Sequence, residues 1–445
     1  MSDSIHAQHR ARFLDLLAER NAVAVIPTAT TKTRNDDADY KFRPTSDFWY
    51  LTGLNEPGAC LVLLPGEDGE PHRSVLFLRE RDKLREIWDG RRLGLERAPE
   101  ALGVDTAMDI EELWTELPKL LEGRERIMWR FGDDDVADRR MVETFTSLRN
   151  LARGPVEPAK ELLDTGPVLH ELRVIKSDAE LELMRRAARL SAETHAALMR
   201  HVQPGMNECE AEAFLDHGYR SAGSSGAAYS HICAGGANAC ILHYIENDQP
   251  LKDGDLLLVD SGAEWHYYAA DITRTFPVGG KFTAEQRALY QVVLDAEEAA
   301  IAVSGPNVPY DRIHEVALGV IVDGLLEHGL LKGTREEALE SGSYREFFMH
   351  KTGHYLGLDV HDCGRYTTPG GASRPLEPGM VFTVEPGIYV DPENMEVEAR
   401  WRGIGIRIED DVLITEEGHE VLTGDVPKAI HEVEAMCAAA TDAKG

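Results

Sequence analysis

The sequence has 445 residues, 43% of them hydrophobic and 28% charged, the proportions of a globular protein long enough for two or three domains. It carries 47 Lys and Arg against 78 Asp and Glu, a formal charge of −31, and a field of that sign works against binding nucleic acid or anionic membrane. No apolar run reaches membrane-spanning length, and residues 1–20 are polar and charged, without the apolar stretch of a secretion signal; a cytoplasmic protein is expected. The six cysteines, Cys60, Cys209, Cys233, Cys240, Cys363 and Cys437, form no C-x-x-C pair, which removes zinc-ribbon and thioredoxin readings. Their sparse, irregular placement fits reduced thiols, although an even number leaves a disulfide open.

In chain order, residues 8–20 pattern as a helix. Short apolar runs at Ala22–Ile26, Phe48–Thr52, Cys60–Leu64 and Val75–Leu78, bounded by Gly, Pro and charges, predict strands. A helix around 108–121, a strand at Arg126–Phe131 and a helix near 136–151 complete an α/β domain. The segment Gly154–Pro167 holds three prolines and reads as a linker, so a boundary is placed between residues 172 and 173. Beyond it, Ser177-Asp178-Ala179-Glu180 has the form of a capping box. It opens a long amphipathic helix that runs to about Val202 and stops at Pro204-Gly205. Helices over 284–303, capped by Thr283 and Gln286, and over 311–328 follow. Strand-like runs occupy 255–260, 268–276, 380–385 and 404–414. The mixture predicts an α+β second domain over 173–445.

Four of these runs carry chemistry. Between Asp255 and Phe276 two β-like stretches flank a turn-prone centre at Gly262–Trp265. A hairpin centred near Trp265 and His266 sets Asp260 opposite Asp271 on one face. Singly, each is more simply a solvated turn aspartate. As a pair at that distance, two carboxylates repel, and one protonates unless a cation lies between them. Glu385 ends the otherwise apolar run MVFTVE. In GIGIRIEDD, at 403–411, Ile404, Ile406 and Ile408 point one way and Gly405, Arg407 and Glu409 the other. A surface ion pair is the simple reading of Arg407 and Glu409, but the small Gly405 beside them leaves room for something to approach. His350, His354 and His361 fall within twelve residues, among glycines and apolar side chains. Two Asp, two Glu and at least one His, with no Cys, suit a hard or borderline divalent ion, Mn²⁺ ahead of Co²⁺, Fe²⁺ or Zn²⁺. Four carboxylates exceed the need of one ion and imply a pair that activates water for hydrolysis.

These residues, in this order, resemble the pita-bread metallopeptidases, which include methionine aminopeptidase, prolidase and aminopeptidase P. The resemblance extends through SDFWYLTGLNEP at 46–57, EIWDGRR at 86–92, ILHY at 241–244, DITRTFPV at 271–278, GLDVHD at 357–362 and VEPGIYV at 384–390. Spread over most of the chain, it is most similar to bacterial aminopeptidase P. It implies a curved antiparallel sheet in a pita-bread catalytic domain over 173–445, preceded by an α/β N-terminal domain over 1–172. It implies Asp260, Asp271, His354, Glu385 and Glu409 as metal ligands, with Asp271 and Glu409 bridging two ions and Glu385 also serving as general base. His243 becomes a substrate or proton-shuttling residue, and His361 a donor to the tetrahedral intermediate. His350, Tyr389 and Arg407 line the proline pocket or orient the ligands. Asp37, Trp88 and Arg153 would reach substrate from the N-terminal domain, Trp88 that of its own or of a neighbouring subunit. The stretch TTPGGASRP at 367–375 departs from the family pattern, leaving Arg374 as the stand-in for a gating arginine. The implied activity releases the first residue of peptides with proline second, from a homo-oligomer (a dimer or tetramer). The rivals are prolidase, which shares fold and ligands, methionine aminopeptidase, which lacks so large an N-terminal domain, and a non-enzymatic peptide binder, which would have lost ligands.

Overall fold

The computed structural model describes residues 4–66 and 69–442; the side chain of Arg153 and those of 439–442 lie outside that description. The chain forms two compact units, Met1–Leu172 and Arg173–Gly445.

The first unit is built on a six-stranded sheet whose spatial order is Thr106–Asp109, Arg73–Leu78, Cys60–Leu64, Ala22–Pro27, Arg126–Met128 and Glu161–Leu163. Its inner face buries Val23, Val25, Val62, Phe77 and Ile127 against helices that contribute Leu117, Met141 and Leu148. Two expectations change here. Phe48–Thr52 is helical, within Ser46–Thr52, because the Thr45 hydroxyl accepts the Phe48 amide at 3.3 Å and caps the turn. Its run of aromatic residues suits a strand by propensity, but the cap decides the backbone. The presumed linker after Gly154 contains the edge strand Glu161–Leu163, paired in parallel with Arg126–Met128. Three residues of backbone pairing are too short to leave a hydrophobic period.

In the second unit the strands pair antiparallel: Leu256–Asp260 between Ile232–Gly235 and Thr273–Pro277, Asp410–Ile414 between Val381–Val384 and His419–Val421, and Gly387–Tyr389 with Gly405–Arg407. A bridge between Thr273 and Glu409 links these groups. The runs read as continuous at 268–276 and 404–414 are interrupted at 270–272 and at Ile408-Glu409. The two interruptions carry the carboxylates Asp271 and Glu409. The helix Asp178–Met199 begins in the capping box of Ser177 and Glu180, and Ala284–Ala302 in that of Thr283 and Gln286. With Asp311–Glu327 they cover a core that includes Leu257, Val259, Phe276, Val293, Ile321, Phe382, Ile406 and Ile408.

The hairpin register also differs from expectation. Gly262–Trp265 is not the turn, since Ala263–Trp265 is a strand paired on both sides. The reversal falls at His266-Tyr267, both with left-handed φ (49° and 69°), between the paired Trp265 and Tyr268, the geometry of a two-residue hairpin. Asp260 therefore lies opposite Thr273, and Asp271 stands diagonally, two residues away. Asp271 lies in the break, and the Tyr229 hydroxyl that contacts both carboxylates shows that they still converge on one side.

Residues next to the site strands face inward to a second charged cluster. Arg274, fully buried, donates to Asp410 Oδ1 at 2.7 Å and to the Glu409 carbonyl at 2.6 Å. Lys428 reaches Asp410 Oδ2 and Glu297 Oε1, each at 2.7 Å. Burial alone would raise the Asp410 carboxyl, but Arg274 and Lys428 outweigh it and hold the group well below the usual carboxylate range. Replacing Arg274 by Met leaves two buried carboxylates with one cation. We expect a loss of about 3–5 kcal/mol of stability, read as a lowered thermal midpoint, while Arg312→Ala at an exposed pair with Glu315 leaves the midpoint unchanged.

Candidate metal centre and active site

The breaks in the sheet deliver the five expected ligands to one place. Asp260 closes the strand Leu256–Asp260, and Asp271 sits in the gap before Thr273–Pro277. Glu385 follows Val381–Val384, and Glu409 separates Gly405–Arg407 from Asp410–Ile414. His354 immediately precedes Tyr355, which bridges to Phe382. Ligand atoms of Asp271, His354 and Glu409 all lie within 4.8 Å of one another. His354 Nε2 is 3.5 Å from Asp271 Oδ2 and 3.7 Å from Glu385 Oε1. Asp260 joins Asp271 through the Tyr229 hydroxyl, which contacts both carboxylates.

The donor set fits divalent metal. The Nδ1 atom of His354 faces the Tyr355 carbonyl at 3.1 Å; a carbonyl can only accept, so Nδ1 carries the proton and Nε2 turns toward the carboxylates. This is the tautomer a metal requires. A neutral Nε2 lone pair among carboxylates is repelled unless a proton or a cation intervenes. The carboxylates face the same demand. Burial, then the charges of Asp271 and Asp260, raises Glu385 to about 7 against the opposing pull of His354 and Arg407. Burial and the other three carboxylates raise Glu409 well above its ordinary range. Burial and the charge of Asp260 also raise Asp271. Burial would lower His354, but its contact with Asp271 and the charge of Glu385 raise it to about 9.

Arg407 orients this set. Its guanidinium donates to Asp260 Oδ2 at 2.6 Å, to Thr273 Oγ1 at 3.1 Å and to Tyr389 Oη at 3.1 Å. The simple reading of a surface pair with Glu409 is thus replaced: both residues are buried, and the guanidinium's carboxylate partner here is Asp260. Tyr389 Oη lies 2.9 Å from His350 Nε2, whose Nδ1 donates to the Lys351 carbonyl at 2.7 Å. Burial and the nearby Arg407 push His350 down to about 4, so its free Nε2 accepts from Tyr389. His350, Tyr389 and Arg407 form one chain ending on a ligand. Thr273 continues it, donating to Glu409 Oε2 at 2.6 Å. The room at Gly405 is taken by the protein itself, since a Cβ there would lie 2.3 Å from the Ala239 carbonyl oxygen.

The ligands open into a cavity of about 500 Å³ lined also by Tyr229, Leu242, His243, Ile245, Val360 and His361. The exposed His361 ring stands edge-on to His354 with centroids 4.3 Å apart. His243 is exposed at the opening between Ile241 and Ile245. Asp37, in the tight turn between Thr33–Asn35 and Ala38–Asp39, and Trp88, 86% exposed, belong to the first unit. Arg374 donates to Glu377 at 3.1 Å. Sequence reasoning missed Tyr229 and Thr273. Thr273 had a signal in its place within the run DITRTFPV, two residues after Asp271; Tyr229 lies outside any recognised motif.

Residues 182–416 match metallopeptidase family M24, and residues 6–129 match the aminopeptidase P N-terminal domain. The Escherichia coli Xaa-Pro aminopeptidase is 43% identical over 97% of both chains. The solved structure of Pseudomonas aeruginosa aminopeptidase PepP is 44% identical, covers 99% of each chain and superposes with a TM-score of 0.95. A zinc-substituted Escherichia coli aminopeptidase P in complex with product is 42% identical over 99% of each chain, with a TM-score of 0.93.

Glu385 at about 7 and His354 at about 9 both lie above their ordinary values. The folded, metal-free protein then holds more protons than the unfolded chain between the two sets of values, so its stability falls as pH rises through that window. We expect the thermal midpoint of chelator-treated protein to drop from pH 7 to pH 9, above the range in which the depressed histidines such as His350 titrate in the unfolded chain, and divalent metal to remove most of that slope. A midpoint that rises over the same range contradicts the charge arrangement described.

Proposed function

The chain belongs to metallopeptidase family M24, and from that membership we infer that it is a metal-dependent Xaa-Pro aminopeptidase, releasing the N-terminal residue of peptides that carry proline second. Its catalytic unit has the pita-bread fold. The observation that carries the reading is the convergence of Asp260, Asp271, His354, Glu385 and Glu409 beside His243 and His361 in one cavity. Divalent metal held there supplies an activated water and polarises the scissile carbonyl at neutral pH. We propose two ions, Mn²⁺ by preference with Co²⁺, Fe²⁺ or Zn²⁺ accepted; what supports this is a donor set of four carboxylates and one imidazole.

The protein's own groups do the rest. Glu385, in the cavity within 3.7 Å of His354 Nε2, takes a proton from the attacking water. His361 donates to the oxygen that becomes negative as the carbonyl turns tetrahedral. The leaving nitrogen of an Xaa-Pro bond carries no hydrogen and must gain one to depart, and His243 at the cavity opening delivers it. Arg407, Tyr389 and His350 hold the ligands in register and wall the pocket for the proline ring. Asp37 and Trp88 are proposed as substrate contacts from the N-terminal unit. A homo-oligomer, dimer or tetramer, is proposed on the exposed apolar run of Leu84, Ile87 and Trp88. A cytoplasmic setting is proposed on the buried thiols of Cys60, Cys233 and Cys437; no helix among the described residues is long and apolar enough to cross a membrane.

Dipeptidase action is not favoured, because the relatives at 43 and 44% identity are aminopeptidases. Metal-reconstituted protein is expected to cleave Gly-Pro-Xaa peptides and to leave the Gly-Pro dipeptide intact; the opposite preference makes it a prolidase. His361→Ala is expected to lower kcat by about 10²-fold or more with little change in KM. Metal content should stay at the wild-type value in that variant and fall in His354→Ala. Equal metal loss in both reverses the two assignments.

A further inference from the structure

His361 has no regular secondary structure beneath it. It lies in the reversal 355–362, which is closed by the Asp362 amide donating to the Tyr355 carbonyl at 2.8 Å. The side chains on either side of it in this loop are gripped from one direction. Arg173 Nη2 donates to Asp359 Oδ2 at 2.9 Å and to Asp362 Oδ1 at 2.5 Å. Lys176 Nζ reaches Asp362 Oδ2 at 3.2 Å, and its own amide is fixed by the Gly379 carbonyl at 2.9 Å. Arg173, Lys176 and Asp362 are all nearly excluded from solvent, with side chains 4%, 1% and 1% exposed. The loop is moulded to this clamp: a Cβ at Gly357 would sit 2.1 Å from Asp362 Oδ2.

We propose that Arg173 is a positioning residue for the hydrolytic reaction, acting with Lys176 through Asp359 and Asp362 to hold His361 over the metal site. The inference rests on the role given to His361 above. Two buried cations on a single buried carboxylate form more than a generic loop anchor. The guanidinium spans two carboxylates that bracket position 361, so it sets the course of the backbone between them. Without it, Asp359 and Asp362 lose their shared donor and the imidazole loses a fixed approach to His354. Substrate affinity and metal ligation involve other residues, so the defect belongs in turnover.

The experiment is a double-mutant cycle on metal-loaded protein with a Gly-Pro-Xaa substrate, combining Arg173→Met with His361→Ala. Arg173→Met is expected to lower kcat by about tenfold or more with KM and metal content near wild type, and Arg173→Lys to recover part of the loss. If Arg173 acts through His361, the double variant is no slower than His361→Ala. Losses that multiply overturn the proposal, as does a fall in metal content with Arg173→Met. Should that variant not fold, Asp359→Ala, at a half-exposed position, removes one arm of the clamp and is expected to show the same non-additivity at smaller amplitude; multiplicative losses there overturn it equally. A His361→Ala enzyme with undiminished kcat instead refutes the role of His361, and the positioning of it along with that role.

Discussion

Asp260, Asp271 and Glu409 are nearly buried, and Glu385 shares their cavity, all gathered about the single imidazole of His354. Negative charge packed so closely away from water demands protons or cations among the carboxylates, and the surrounding structure consists largely of answers to that demand. Asp260 receives Arg407. Glu409 receives the Thr273 hydroxyl, and Asp271 the Tyr229 hydroxyl. The His354 proton is parked on a carbonyl so that the other nitrogen is offered inward. Each partner takes up an outer lone pair or fixes a tautomer and leaves the inner faces for metal.

Strand alternation lets one stretch of backbone serve two charged systems. Thr273 and Glu409 face the cavity; their neighbours Arg274 and Asp410 face the opposite way into the cluster completed by Lys428 and Glu297. The guanidinium of Arg274 also takes the Glu409 carbonyl. The main chain of a ligand is thereby tied to a fully buried ion network, which gives the carboxylate a stiff mount rather than a loop tip.

What could be read from the sequence were features carried by local pattern. The capping boxes at Ser177 and Thr283 fix helix starts by themselves. The ligands stand out because acidic residues at the ends of apolar runs conflict with burial. The hairpin register was off by two because Gly262 suggests a turn, while the actual reversal uses left-handed His266 and Tyr267 in place of the Asn-Gly or Asp-Gly pair that marks such turns. Ser46–Thr52 was hidden behind aromatic residues with strand propensity, since one threonine cap outweighs them. Tyr229 and Arg173 were not legible at all. Tyr229 meets its aspartates 31 and 42 residues away, and Arg173 meets Asp362 at a separation of 189. Contacts at such range leave no period or spacing in the chain.

The contact between Gly405 and the Ala239 backbone bears on how this scaffold can be re-engineered. The turn Gly236–Cys240 leads straight into Ile241, Leu242 and His243 at the cavity opening, and it lies flat against the strand that presents Arg407. Libraries aimed at broadening substrate choice would naturally diversify 241–245, and selection over many rounds drifts into neighbouring strands. A side chain accepted at 405 would lift that turn and carry the opening away from the ligands, so improved variants should be found with every residue of the opening changed and glycine still at 405.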